Sequence, residues 1–230
     1  MVENRWLKIC SKVQNIRQKE SEANNMNDIY LGLSNDIENL KLPDPQLTTY
    51  WRNYQDRVFW IDTEITDELF EVSKMILRYN KEDKGKPTEE RQKITLFINS
   101  PGGDLDVTLA FVNLIELSKT PVITINAGMA MSAAGLILMA GHERYALPGT
   151  SCLIHSGSAS GMGGTYEQTE SAMEDYKQKI NDMKSFILKK TTIDPKILNK
   201  RKSTDWYIYT QDMLNNGIVD KIIEDLDEII

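Results

Sequence analysis

Three segments of this chain carry side chains that could together perform acyl transfer. Ser132 lies in a run of small and apolar residues, Asn-Ala-Gly-Met-Ala-Met-Ser-Ala-Ala-Gly at 126–135. His155 follows the apolar residues at 152–154, and Asp205 directly precedes a tryptophan. A hydroxyl, an imidazole and a carboxylate linked by hydrogen bonds form the charge network of serine hydrolases. The three segments therefore predict such a network, in the chain order Ser, His, Asp.

The general base of this network has few candidates, because the chain contains only two histidines. His155 is the better candidate, since the apolar residues before it predict a buried strand. His142 lies in Gly-His-Glu-Arg at 141–144, which predicts a polar turn.

Ser132 is predicted to begin a short apolar helix at 132–139, directly after a strand and Gly128. Small neighbours leave its hydroxyl accessible, and free N–H groups at a helix N-terminus favour an anionic intermediate. The alternative is that the serine only caps the helix. The α/β-hydrolase fold is disfavoured, because it uses Gly-x-Ser-x-Gly and places Asp before His.

A second turn, Ser-Pro-Gly-Gly at 100–103, follows one predicted strand and precedes a helix. Paired glycines let backbone N–H groups turn outward and approach a ligand closely, as an oxyanion hole requires. The same four residues also occur as an ordinary tight turn, so their significance depends on the serine segment.

Strands and helices alternate from Arg57 onward. Thr66 is predicted to cap the first helix, whose buried stripe includes Leu69 and Ile76. The remaining predicted elements are strands at 58–61, 94–98 and 122–125 and a helix at 107–117, with a charged loop at 81–91. Repeated β-α-β units predict an α/β fold with a mainly parallel sheet.

Two regions differ from this alternating body. Residues 1–50 are predicted to be an N-terminal extension with an amphipathic helix, which packs on its own subunit or binds a partner; the main domain is then 51–230. A Gly/Ser-rich run at 157–164 precedes a long, mostly polar helix, Tyr166–Lys190, with one narrow apolar stripe. That helix contacts another subunit or covers its own domain.

Composition excludes several classes of function. The net charge of −7 and a pI near 5.0 argue against nucleic acid as a partner. Cys10 and Cys152 are expected to be reduced, which favours a cytoplasmic protein. The first ten residues contain charges rather than a signal-peptide core, and no run reaches the roughly 18 apolar residues of a membrane span. We expect no metal and no cofactor, and Gly-x-x-x-x-Gly-Lys-[Ser/Thr] does not occur.

Several of these segments resemble the signature blocks of the Clp protease proteolytic subunit (ClpP) family, in the same order, from about Arg57 to about Ile223. The blocks are Ser-Pro-Gly-Gly at 100–103, Gly-Met-Ala-Met-Ser at 128–132, Leu-Pro-Gly-Thr at 147–150, Ile-His at 154–155, Asp-Trp at 205–206 and Asn-Gly-Ile-Val-Asp at 216–220. The resemblance implies the ClpP/crotonase-like fold, with a protruding handle at about 157–191. The first 50 residues do not resemble the short axial hairpin of that family.

The resemblance also implies a role for each site residue. Ser132 is the nucleophile, His155 the general base, and Asp205 the residue that orients the imidazole and stabilises its cation.

The oxyanion donors implied by the resemblance are the backbone N–H groups of Gly103 and Ala133. Substrate contacts are expected at Gly102, Met131 and Gly157.

The implied function is a serine endopeptidase that hydrolyses unfolded proteins or peptides inside an oligomeric chamber, a heptamer or double ring. ATP would be used by a separate partner, an AAA+ unfoldase. One alternative is a catalytically silent structural subunit of a mixed ring. A crotonase-like acyl-CoA enzyme is less favoured, because it has no use for a Ser-His-Asp relay. A signal-peptide peptidase, with its membrane anchor and Ser/Lys pair, fits least.

Overall fold

The computed structural model describes residues 45–158, 163–201 and 204–229, so the helix predicted near the N-terminus lies outside the described residues. The helices are α1 (Pro45–Asp56), α2 (Leu69–Glu82), α3 (Leu105–Leu117), α4 (Ala133–Ala140), α5 (Tyr166–Lys190), α6 (Pro195–Arg201) and α7 (Thr210–Asn215). The strands are β1 (Val58–Ile61), β2 (Ile94–Ser100), β3 (Val122–Met131), β4 (Glu143–Ala146), β5 (Ser151–Ile154), β6 (Trp206–Tyr209) and β7 (Lys221–Ile222).

The strands of the described residues form one sheet in the order β1-β2-β3-β4-β7, with β5 pairing to both β3 and β6. Every pair is parallel except β5 with β6. The predicted α/β class with a mainly parallel sheet is therefore confirmed.

Helices α2, α3 and α4 pack their apolar residues on the sheet. Ile76, Ile115 and Ile137, one from each helix, are fully buried in the same core. All eight residues of α4 are buried, which explains why its sequence is uniformly apolar rather than amphipathic. Ser132, the residue before α4, is therefore attached to a helix that is buried along its whole length.

The structure corrects several details of the sequence prediction, and strand β3 continues to Met131 rather than ending at residue 125. Thr66 is not the N-cap of α2, because the helix begins at Leu69; its hydroxyl instead accepts from the Glu68 N–H at 3.4 Å in the turn that leads into the helix. The predicted polar turn at 141–144 contains the first residues of strand β4. Charged residues are accommodated in this strand because Glu143 pairs with Lys93, and Arg144 pairs with an aspartate at position 220.

Asn126 lies at the point along β3 where the pairing partner of β3 changes from β4 to β5. Strand β4 pairs with β3 as far as Asn126, and β5 pairs with it from Met129 onward. The buried Asn126 side chain donates from Nδ2 to the Ser151 carbonyl at 2.9 Å and accepts at Oδ1 from the Gly128 N–H at 3.2 Å. The Asn126 side-chain amide therefore links β3 to β5 at the last residue of β3 that pairs with β4.

The long helix α5 has the bounds that the sequence predicted. It begins at a capping box formed by Thr165 and Gln168. Its C-terminal half is anchored by the buried Met183 and Ile187, whereas Met173 nearer the N-terminus is 53% exposed. Across the described residues, none of the helices combines the length and apolar character needed to cross a membrane.

Candidate active site

Strand register brings the predicted site residues together. The end of β3 pairs with β5, Met131 opposite Leu153, and the last residue of β5 lies opposite the first residue of β6. Ser132, His155 and Asp205 each lie immediately beyond one of these strand ends. Three segments distant in sequence therefore meet where the strands β3 and β5 end and β6 begins.

Ser132 occupies a backbone conformation that few residues adopt. Its φ is 54° and its ψ is −120°, outside the strand and helix regions. The Ser132 N–H donates to the Leu153 carbonyl at 2.9 Å, which fixes the turn between β3 and α4. Unusual backbone conformations that the surroundings impose on a residue are concentrated at functional sites.

The Ser132 side chain contacts the imidazole of His155. Ser132 Oγ and His155 Nε2 are 2.6 Å apart, a hydrogen-bond distance. The hydroxyl donates this bond when the imidazole carries its proton on Nδ1, the nitrogen that faces Asp205. In that tautomer Nε2 can accept the hydroxyl proton.

The contact between His155 and Asp205 is looser. His155 Nδ1 lies 3.5 Å from Asp205 Oδ1, and the Asp205 side chain is 58% exposed. This distance exceeds the usual range of a protein hydrogen bond. The pair is close enough for electrostatic attraction once the imidazole becomes charged.

Gly102 and Gly103 form the turn that faces Ser132. The Gly102 carbonyl accepts from the Ile65 N–H at 2.8 Å, which anchors the turn to the segment after β1. Gly102 has a φ of +95°, and a Cβ there would lie 2.5 Å from the Met131 carbonyl oxygen. Only glycine allows this turn to approach the serine so closely.

Two backbone amides beside Ser132 remain available to a ligand. Among the described residues, the N–H groups of Gly103 and Ala133 donate no hydrogen bond to another protein group. Both residues line the cavity that contains Ser132. Ala133 is also the first residue of α4, where the helix dipole favours negative charge. Unpaired N–H groups in the wall of the same cavity are the kind of donor that an oxyanion hole requires.

The cavity beside Ser132 has a volume of about 650 Å³. The turn at 101–106 and the handle helix α5 contribute most of its walls, and Tyr176 of α5 donates a hydrogen bond from its hydroxyl to the Ser156 carbonyl at 3.0 Å. Gly157 is among its lining residues, whereas Gly102 and Met131 are not. Substrate contact by these three residues stays a prediction.

Sequence reasoning missed several residues of this cavity. Glu64, Asp106, Asp175 and Lys179 all line it, although none was selected from the sequence. The spacing of Asp175 and Lys179, four residues apart on one helix, is a signal that could have been read as a local ion pair. Their position beside Ser132 follows only from the packing of α5 against the body.

Neither His142, the weaker candidate for the general base, nor Cys152, expected to be a reduced thiol, lines this cavity. His142 is exposed, and its Nδ1 accepts from the Val122 N–H at 3.1 Å. Cys152 is fully buried in β5, and burial raises the pKa of its thiol to about 12. The thiol therefore stays protonated at neutral pH and is a poor nucleophile.

A mainly parallel sheet with a serine between its central strand and a buried helix is consistent with the ClpP fold. The model of the Clp protease family matches residues 45–226. The chain belongs to the Clp protease family.

Individual relatives agree with this assignment. An ATP-dependent Clp protease proteolytic subunit of Deinococcus radiodurans is 30% identical over 179 residues, 76% of this chain and 84% of that protein. An ATP-dependent Clp protease proteolytic subunit 2 of Corynebacterium diphtheriae is 29% identical over 180 residues, 77% and 87% of the two chains. The expected ClpP-type hydrolase is confirmed at the level of the family, and the acyl-CoA alternative loses its support.

Proposed function

We propose that this chain is a serine endopeptidase that uses Ser132 as nucleophile, His155 as general base and Asp205 as the orienting carboxylate. The observation that carries the proposal is the 2.6 Å contact between Ser132 Oγ and His155 Nε2. A nucleophile within hydrogen-bonding reach of its base is the arrangement that covalent acyl transfer requires.

The proposed reaction has two halves. His155 Nε2 takes the hydroxyl proton while Ser132 Oγ bonds to the peptide carbonyl carbon, and the same nitrogen then returns the proton to the leaving amine as the C–N bond breaks. A water molecule next attacks the acyl-enzyme, giving one proton to His155. The ester bond to Ser132 breaks, and the serine recovers its proton.

Stabilisation of the tetrahedral intermediates is assigned to the N–H groups of Gly103 and Ala133. Their position in the walls of the Ser132 cavity supports this role. One oxyanion donor is typically worth about 2.7–4 kcal/mol of the activation barrier. The N-terminus of α4 adds a partial positive charge in the same place.

The assembly is proposed from the relatives. Their names describe proteolytic subunits of an ATP-dependent protease. We propose that this chain likewise forms an oligomeric ring, a heptamer or double ring, that encloses its active sites. Substrates would be unfolded polypeptides and peptides delivered by a separate AAA+ ATPase.

Activity-based labelling tests the nucleophile. Ser132→Ala should abolish labelling by a fluorophosphonate probe and should remove hydrolysis of a fluorogenic peptide, because no other group replaces the attacking oxygen. Ser185→Ala is the matched control, since this exposed serine of α5 bonds only within its own helix, to the Asn181 carbonyl. Undiminished labelling of the Ser132 variant would refute the assignment.

The 3.5 Å separation of His155 and Asp205 is the one observation that favours the alternative of a silent structural subunit. A loosely held carboxylate leaves the imidazole less well oriented. Peptide turnover by the purified homo-oligomer, lost in Ser132→Ala, would exclude a silent subunit. Absence of turnover and of labelling in every assembly state would support it.

A further inference from the structure

Negatively charged side chains outnumber positively charged ones in the walls of the cavity beside Ser132. Its walls carry four carboxylates and one ammonium group, a net charge of −3 at neutral pH, from Glu64, Asp104, Asp106, Asp175 and Lys179. A cleft lined mostly by one sign of charge concentrates ligands of the opposite sign. The cavity therefore favours cations.

The carboxylates of the cavity come from three separate segments of the chain. Glu64 lies in the segment after β1, Asp104 and Asp106 stand at the start of α3 just after Gly103, and Asp175 lies on α5. The described residues contain no group of three acidic, His or Cys side chains that could hold a metal ion. Dispersed carboxylates of this kind suit an extended organic cation better than a metal.

Lys179 offsets only part of this charge. Its Nζ lies 2.7 Å from Asp106 Oδ1 and 2.6 Å from Asp175 Oδ2, and hydrogen bonds to these two carboxylates raise the lysine pKa above its ordinary value. One ammonium group thus serves two carboxylates. In the described part of the chain, Glu64 and Asp104 have no ion-pair partner, although Asp104 accepts a capping hydrogen bond from the Val107 N–H at 3.0 Å.

We infer that this cleft determines specificity: it favours polypeptide substrates with a lysine or arginine close to the cleaved bond, and Lys179 moderates that preference. The inference rests on the proposed function, since it takes Ser132 as the place of cleavage. A basic side chain of the substrate approaches Glu64 and Asp104 directly, whereas an acidic side chain meets net repulsion.

The test uses fluorogenic peptides that differ only by Lys, Met or Glu at positions next to the cleaved bond. The measured quantity is the ratio of kcat/KM for the Lys peptide to that for the Glu peptide, which does not depend on the fraction of active enzyme. The wild-type ratio should exceed one. Glu64→Gln and Asp175→Asn should each lower it by about three- to tenfold, because each removes one nearby charge.

Two further variants sharpen the test. Lys179→Met should raise the ratio, since it frees both of its carboxylate partners. Asp182→Asn should leave it unchanged, because Asp182 lies on the same helix as Asp175 but outside the cavity, bonded to Gln178. Salt screening should reduce the wild-type ratio when ionic strength rises from about 0.01 M to about 1 M.

The outcomes separate this inference from the proposed function. Hydrolysis that depends on Ser132 but shows no Lys preference, or a change in Asp182→Asn equal to that in Asp175→Asn, would overturn the specificity inference alone. If the wild type shows neither labelling nor hydrolysis, the proposed function itself is overturned. A wild-type preference for the Lys peptide that weakens in Glu64→Gln would support the inference.

Discussion

Two backbone conformations that most residues avoid hold Ser132 in place. Ser132 has a φ of 54°, and Gly102 in the facing turn has a φ of 95°. The first directs a side chain out of the strand-to-helix turn, and the second permits close approach of the opposite backbone. The site therefore depends on the absence of a side chain at position 102 as much as on the hydroxyl at 132.

Gly102→Ala should lower kcat/KM by about 100-fold, because a displacement of the reacting groups by about 1 Å has this effect. The added Cβ would lie 2.5 Å from the Met131 oxygen and 2.9 Å from Ser132 Cβ, so Ser132 must shift. Gly85→Ala is the control, since Gly85 has a φ of 94° but a Cβ added there would meet no atom within 4 Å. Both variants lose about 1 kcal/mol of stability to the positive φ, and only the first should lose activity in a peptidase assay. Equal activity of the two variants would contradict this account.

A buried ion pair joins three elements of the fold. Arg57, just before β1, donates from both terminal nitrogens to Asp83 at the end of α2. Thr120, just before β3, donates to the same carboxylate at 3.2 Å. The Asp83 side chain is fully buried, and the hydrogen bond from Arg57 lowers its pKa to about 2. A loop that the sequence presents as merely charged thus contains a structural anchor.

Asp83→Asn should lower the free energy of unfolding by about 3 kcal/mol, because it leaves the buried Arg57 with only the more distant and half-exposed Glu82 carboxylate, 3.9 Å away, as counter-charge. The matched control is Glu71→Gln on the same helix, whose pair with Lys74 is exposed and should contribute less than about 0.5 kcal/mol. Urea unfolding at pH 7 measures both values. Similar midpoints for the two variants would contradict the expected difference.

The same carboxylate predicts a pH dependence. A pKa lowered in the folded state contributes stability above the unfolded value near 4, and that contribution is lost as the pH falls from about 4 to about 2. We expect the wild type to lose about 2 kcal/mol more than Asp83→Asn over this interval. Parallel pH profiles of the two proteins in urea unfolding would show that Asp83 is not the titrating group.

The handle helix α5 exposes large apolar side chains to solvent. On α5, Tyr166 is 74% exposed and Met173 is 53% exposed, although the other end of the helix is anchored in the core. Tyr166 and Met173 are seven residues apart and therefore share one face of α5, where a second chain can pack against both. We therefore expect this face of α5 to take part in the proposed self-association.

Met173→Glu should reduce the oligomeric mass measured by native mass spectrometry, because a charge buried in an apolar contact is costly. Leu117→Glu is the matched control, since Leu117 is 82% exposed but ends α3 rather than lying on the handle. Its mass should equal that of the wild type. Disassembly by both variants, or by neither, would argue against contact through this part of α5.

Local patterns in the sequence were sufficient to predict the α/β class and several elements. The bounds of β1 and α5 agree with the prediction, because an apolar tetrapeptide and a capped helical stripe are both read within a short window. The short strands β4, β6 and β7 were not predicted. Strands β4 and β7 contain charged residues and form because a neighbouring strand is present. Strand β6 is Trp-Tyr-Ile-Tyr, a run of strong strand formers, so the sequence did carry a signal for it that the prediction missed.

The sequence by itself determined which residues could perform chemistry and which family the chain resembles, because motif spacing is a local property. Only the tertiary structure decided how these residues meet. Pairing between β3, β5 and β6 sets the 2.6 Å and 3.5 Å contacts of His155, and packing of α5 gathers carboxylates from distant segments around Ser132. Strand register and helix packing depend on contacts between residues far apart in the chain, and such contacts leave no periodic signal in the sequence.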